Sequence, residues 1–188
     1  MPSFNALTLS HSFMKEHLFE GAFCIDATAG RGKDTLFLAQ NCGTTGKVLA
    51  FDIQREALDS TASLLAEHGM QDRVSLILDS HSNLEQYAAP ESADLICFNF
   101  GWLPGGDHNI FTRTESSIAA IDASLRLLKN GGVMSLCIYY GKNNGYEERD
   151  AILAHLKTID PKAASVLVCE FVNRGGDPAI PVFVLKGI

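Results

Sequence analysis

The chain has 188 residues, 46% apolar and 20% charged, with 15 basic against 22 acidic side chains and a net charge of −7. That length fits one domain with a self-sufficient core, so residues 1–188 are read as one domain with residues 1–20 as an N-terminal helical segment. Acidic balance argues against bulk electrostatic binding to nucleic acid or anionic membranes, and no apolar run nears the ~20 residues that span a bilayer.

In chain order, an amphipathic N-terminal segment precedes an apolar run at 22–27. The turn Thr28-Ala29-Gly30-Arg31-Gly32 follows and opens a helix-like segment through Lys33-Asp34-Thr35-Leu36. Further apolar runs lie at 47–51, 74–78, 93–98, 133–140, 165–172 and 181–185. Several are nearly continuous, as strands covered on both faces are. Helical stripes appear as Ala57, Thr61, Leu64 and Leu65 within 56–68, and as Ile118, Ile121, Leu125 and Leu128 within 114–129. A further stripe is Ile152, Leu156 and Ile159. Strand and helix alternate five times, which predicts a parallel sheet with right-handed crossovers. The last two runs are joined by residues 173–178, too few for a crossover helix, so they form an antiparallel hairpin at the sheet edge. Pro181 suits an edge position. The expected fold is α/β and Rossmann-like, a seven-stranded, mostly parallel sheet with an antiparallel C-terminal hairpin and helices on both faces.

Cys24, Cys42, Cys97, Cys137 and Cys169 form no C-x-x-C pair. An odd, scattered set argues against a disulfide framework and a zinc site, so no metal is expected and the thiols read as free in a reducing compartment. The N-terminus lacks the basic and apolar regions of a signal peptide. The protein is expected to be cytoplasmic, with no membrane partner.

Gly30 and Gly32 lack a Cβ and tolerate positive φ, so backbone can approach a ligand closely where the helix starts. Asp52 ends the second apolar run, where a carboxylate can accept both hydroxyl hydrogens of a ribose. Dinucleotide enzymes share that acid, but their third glycine is Thr35 here. Asp26, just before the turn, would repel a pyrophosphate and suits a cofactor carrying positive charge, such as S-adenosylmethionine. Asp79 follows the third run and is placed to meet an adenine amine. A plain βα turn, and for Asp79 a turn- or cap-forming aspartate, are the structural alternatives.

Five motifs span nearly the whole chain. They are the segment from Asp26 to Thr35, Phe51-Asp52-Ile53-Gln54, Asp79-Ser80-His81-Ser82-Asn83-Leu84, the segment Asn99-Phe100-Gly101-Trp102-Leu103-Pro104-Gly105-Gly106-Asp107-His108, and Ile138-Tyr139-Tyr140-Gly141 with Glu147-Glu148. On these the chain resembles the bacterial rRNA methylase family of class I S-adenosylmethionine-dependent methyltransferases, members of which are connected with the tRNA wobble-uridine modification 5-methylaminomethyl-2-thiouridine. Arg31 and Lys33 stand where that family usually has Asn and His. The resemblance implies a cofactor site made by Asp26, Thr28, Gly30, Gly32, Asp34, Thr35, Asp52, Gln54, Asp79, Ser80, His81 and Asn99. It also implies a role for His11 closing over the cofactor, with a helix-start residue as the alternative.

On the acceptor side, the Asn99 carbonyl can accept from an amine and orient its lone pair for in-line displacement. Trp102 is placed to stack on an unpaired base or to pack beneath the loop, and Leu103, Pro104, Gly105, Tyr139 and Tyr140 to line the acceptor pocket, with strand alternation turning one of the two tyrosines to the core instead. An alkylamine has a pKa of roughly 10 and must lose a proton before attack. Asp107, His108 or His81 is available to take it. Arg31, Lys33, Arg113, Lys142 and Arg149 follow strand ends and offer a phosphate track, or else are scattered solvated cations. The expected activity is S-adenosylmethionine-dependent N-methylation of RNA. From the resemblance, the acceptor is the aminomethyl group of a wobble uridine in a tRNA anticodon loop. A small-molecule methyltransferase, an NAD-binding oxidoreductase and a non-catalytic cofactor-binding protein are the alternatives, and homo-oligomerisation is left open.

Overall fold

The computed structural model describes residues 4–101, 112–141 and 145–187. Helix α1 (Ala6–Glu16) starts at a reciprocal cap, in which the Asn5 side chain accepts from the Thr8 N–H and the Thr8 hydroxyl accepts from the Asn5 N–H. It is followed by β1 (Phe23–Asp26), α2 (Lys33–Asn41), β2 (Lys47–Asp52), α3 (Arg55–Glu67), β3 (Val74–Leu78) and β4 (Ala93–Phe100). The remaining elements are α4 (Thr114–Leu127), β5 (Leu128–Ile138), α5 (Tyr146–Leu156), β6 (Ala164–Val168) and β7 (Ile180–Lys186).

The strands form a seven-stranded sheet in the order β3-β2-β1-β4-β5-β7-β6. The first five are mutually parallel, and β7 runs antiparallel to both β5 and β6. The α/β reading, with its mostly parallel sheet and antiparallel terminal pair, matches this architecture. Strand order reverses between β1 and β4, which opens a crevice at their carboxyl ends.

Three details differ from the sequence reading. The crossover from β3 to β4 is made by the 3-10 turns of His81–Gln86 rather than by an α-helix. Strand β6 ends at Val168, so residues 169–172 lengthen the hairpin loop instead of the strand. Pro181 lies not on the edge but on β7, which is inserted between β5 and β6. It is tolerated because β6 pairing stops at Val182. The Pro181 carbonyl still accepts from the Cys169 N–H, so the ring withholds one bond at the end of the ladder rather than in its middle.

Strand alternation divides the core between the two sheet faces. On β4, Ile96, Phe98 and Phe100 pack with residues of α4 and α5, while Leu95 and Cys97 pack with Met14 of α1 and Leu38 of α2. On β1, Ile25 joins the first group and Cys24 the second. The same period puts Asn99 and Asp26 on the α1–α2 face, one strand apart. Four cysteines are buried, Cys169 is half-buried, and all five are free. Among the described residues no helix is long and apolar enough to cross a membrane.

Candidate active site

A cavity of about 620 Å³ lies at the carboxyl ends of β1, β2, β4 and β5. That volume falls within the ~300–1,000 Å³ usual for small-molecule and cofactor sites. Its β2–β3 side combines turn contacts with bonds from the β1–α2 turn to β2 and α3. Gly30 and Gly32 take φ of +53° and +79°, which turn the chain from β1 into α2. A Cβ on Gly32 would stand 2.9 Å from the Thr61 Cα, so the turn and α3 fit only through glycine. The Gly30 N–H donates to Asp52 Oδ2 at 2.9 Å and the Gln54 N–H to Asp52 Oδ1 at 2.9 Å. Burial raises the Asp52 pKa above the usual carboxylate value against the pull of those N–H groups. Ile53, beside it, is 58% exposed while lining the cavity, an apolar surface suited to a flat ring.

Asp79 is held from below. It accepts from Asn83 Nδ2 at 2.8 Å, from the Tyr87 hydroxyl at 2.8 Å and from the Ser80 N–H at 2.7 Å. These bonds lower its pKa, with Asn83 contributing most. Ser80 caps the following turn by accepting from the Ser82 N–H. His81 lines the cavity but is nearly buried against the edges of Phe98 and Phe100. Its Nε2 has no hydrogen-bond partner among the described residues, and burial pushes its pKa down to about 4. Near neutral pH His81 is therefore an uncharged imidazole, poor at taking a proton but able to meet a polar ring edge.

Asp26 is not at the cavity surface. It is fully buried, because alternation turns it under α2, where it accepts from the Thr35 hydroxyl at 2.6 Å and the Thr28 N–H at 3.1 Å. Burial first, and then the charge of Asp34, raises its pKa well above the usual carboxylate range. Thr35 is likewise fully buried. Asp26 and Thr35 hold the turn from behind, whereas Thr28, Asp34, Lys33 and Arg31 line the cavity itself.

Asp34 joins three elements. One oxygen lies 2.6 Å from His11 Nε2 on α1, and the other accepts from Asn99 Nδ2 at 2.7 Å. The Asn99 N–H donates to the Thr28 hydroxyl at 2.7 Å. The His11 ring stacks on Phe37, with centroids 4.0 Å apart. Towards β5, Gly101 takes φ +128°, with the place of a Cβ only 3.0 Å from Tyr139 Cβ. The Thr112 N–H donates to the Gly101 carbonyl at 3.0 Å, and the Gly101 N–H donates to the Thr112 hydroxyl at 2.7 Å. That hydroxyl in turn donates to Glu148 Oε2 at 2.8 Å, and Ser117 donates to Oε1 at 2.6 Å. Burial raises the Glu148 pKa despite both donors.

Tyr139 and Arg113 line the cavity, but Tyr140 does not. Alternation sends Tyr140 to the α5 side, against Tyr146 and under the Arg149 guanidinium at 4.6 Å. Arg149 also pairs with Asp150 at 2.7 Å and does not line the cavity. Trp102, Leu103, Pro104, Gly105, Asp107, His108 and Lys142 lie outside the described residues. Sequence reasoning missed Leu7, Ile53, Thr112 and Ser116 as lining residues. Ile53 was within reach as the neighbour of Asp52, but nothing local marks Thr112 or Ser116.

The comparisons with known proteins agree with this geometry. The family model described as Putative rRNA methylase matches residues 48–185. A relative from Arabidopsis thaliana, "tRNA (mnm(5)s(2)U34)-methyltransferase, chloroplastic", is 34% identical over 191 residues, covering 95% of this chain and 68% of the relative. A crystal structure from Clostridium thermocellum with the same rRNA methylase description has a TM-score of 0.95 at 39% identity, covering 99% of this chain and 100% of that one. A Streptococcus mutans protein, described as a putative methyltransferase in complex with SAH, has a TM-score of 0.88 at 32% identity, covering 98% and 99%. These matches set aside the oxidoreductase alternative. By family model, by identity and by strand order, the chain belongs to the Putative rRNA methylase family and has the fold of the S-adenosylmethionine-dependent methyltransferases.

Proposed function

We propose that this methyltransferase uses S-adenosylmethionine to N-methylate RNA, with the 5-aminomethyl group of a tRNA wobble uridine as acceptor. The observation that carries the acceptor is the 34% identity over 95% of the chain with a relative named for that tRNA modification. The donor rests on the SAH complex of the Streptococcus mutans relative and on the fit of this cavity. The fit is chemical. The carboxylates of Asp52 and Asp79, an exposed apolar face at Ile53 and a His81 ring nitrogen without a partner among the described residues suit a ribose, an adenine and its polar edge.

Asp52, Asp79, Ser80 and the turn from Thr28 to Gly32 would hold the nucleoside, with Thr28, Asp34 and Asn99 beside its amino-acid end. When bound, the cofactor supplies an electrophilic methyl group on a positively charged sulfur. Asn99 accepts a hydrogen bond from the incoming amine and points its lone pair inward; Tyr139 walls the acceptor. Arg31, Lys33 and Arg113 meet backbone phosphates at the rim, so binding weakens steeply with salt. Trp102, Leu103, Pro104 and Gly105 receive the base, and Asp107 or His108 takes the proton that the amine must shed. Positioning and exclusion of water supply most of the rate. The reaction is assigned to the cytoplasm as one folded domain; the Arabidopsis relative is chloroplastic.

The test is to incubate the purified protein with labelled S-adenosylmethionine and tRNA carrying 5-aminomethyl-2-thiouridine, and then to analyse the nucleosides. Label on the exocyclic amine of that uridine is the expected result. Label only on ribosomal RNA or a free metabolite would replace the acceptor, and no label on any of them would remove the reading.

A further inference from the structure

A terminal amide can be turned either way, and only one orientation of Asn99 offers a carbonyl to an amine. Asp34 decides between them. Asn99 Nδ2 donates to Asp34 Oδ2 at 2.7 Å, so the carboxylate oxygen is the acceptor and the NH2 group is the atom that faces it. Asn99 Oδ1 is thereby turned away from Asp34, and it takes no hydrogen bond from any described residue although Asn99 lines the cavity. Flipping the amide would press its carbonyl against the carboxylate. Asp34 cannot swing aside either, because its other oxygen is held by His11 Nε2 at 2.6 Å and the His11 ring is stacked on Phe37. The backbone of Asn99 is fixed separately through its N–H to Thr28. Asp34 itself is 8% exposed, so water competes little for these bonds.

We propose that Asp34, braced by His11 from α1, is a positioning residue that keeps the Asn99 carbonyl facing the acceptor. On this basis the site selects nucleophiles that bring a hydrogen to donate. The inference rests on the reading of Asn99 as the amine's partner, and it gives α1 a part in catalysis.

An exchange of the two side chains tests it. Asn99→Asp sets two carboxylates at hydrogen-bond distance, and Asp34→Asn removes the group that fixes the amide. Combining both restores a donor facing an acceptor and again leaves an oxygen towards the cavity. Thermal unfolding, SAH affinity, and kcat and KM on aminomethyl tRNA are measured for wild type, both single variants and the exchanged protein. The expected result is that Asp34→Asn loses at least about tenfold in kcat, a larger factor than its change in SAH affinity. The exchanged protein should exceed both singles in kcat and in unfolding temperature. Additive unfolding shifts would show that the side chains are not paired, and a loss of SAH affinity matching the fall in kcat/KM would make Asp34 a cofactor ligand; either overturns the proposal. A wild-type protein inactive on this tRNA, but with coupled unfolding shifts, would count against the acceptor and still support the pairing.

Discussion

On the β2–β3 side of the cavity, acids are held mainly by near neighbours in sequence. Asp52 accepts from Gln54 two residues on, and Asp79 from Ser80, Asn83 and Tyr87 within eight. On the β4–β5 side the bonds cross the fold. Asn99 is tied to Asp34 across 65 residues and to Thr28 across 71, and Thr112 to Glu148 across 36. The first side is a cradle that follows largely from turns, with Gly30 tying the β1–α2 turn to Asp52 across 22 residues; the second exists only once α1, α2, α4 and α5 have docked. Damage to the cradle should therefore appear as lost cofactor affinity, and damage to the cross-fold bonds as lost turnover with affinity retained.

The largest expected effect is at Asp52. Asp52→Ala removes two charge-assisted acceptors and frees the Gly30 N–H, and should weaken SAH binding by about a hundredfold or more in calorimetry. Gly32→Ala comes next, because a left-handed alanine with its Cβ 2.9 Å from Thr61 should cost about 2 kcal/mol in denaturant unfolding. Glu148→Ala leaves the Thr112 and Ser117 hydroxyls without their acceptor. It should lower kcat/KM on tRNA about tenfold with SAH affinity unchanged, and a matching loss of SAH affinity would erase the distinction between the two sides.

A pH dependence tests the buried imidazole of the cradle. The His81 pKa is lowered to about 4 by burial, so between pH 6.5 and 4 the unfolded chain binds the proton and the folded one does not. Its contribution to stability is present above pH 6.5 and is lost as pH falls through that window, by at most about 1.4 kcal/mol per pH unit. The difference in stability between wild type and His81→Phe should carry that slope; a pH-independent difference would show that His81 is not held neutral.

The same contrast explains what could be read from the chain alone. Sheet, crossovers and terminal pair follow from apolar runs and helical stripes, which are local patterns, and so do the turn at Gly30 and Gly32 and the acids at Asp52 and Asp79. The depth of Asp26 was not legible. A carboxylate beside a glycine turn reads as a ligand, and only strand alternation plus the docking of Thr35 shows that it is covered. Tyr139 and Tyr140 were indistinguishable until the register of β5 placed one in the cavity and the other beneath Arg149. Glu148 stood in a visible acidic doublet, but its bond to Thr112 depends on how α5 packs beside α4. Pro181 was assigned to an edge because β6 and β7 read as a simple hairpin, whereas the chain returns to insert β7 inside β6.

The most direct measurement is a crystal structure of this protein grown with SAH. Ribose hydroxyls on Asp52, adenine between Ile53 and the Asp79–His81 turn, and sulfur facing the Asn99 side of the cavity are the expected result. A ligand bound elsewhere, or a cavity left empty at saturating SAH, would contradict the assignment of the β1, β2 and β4 ends as the place where the methyl group is presented.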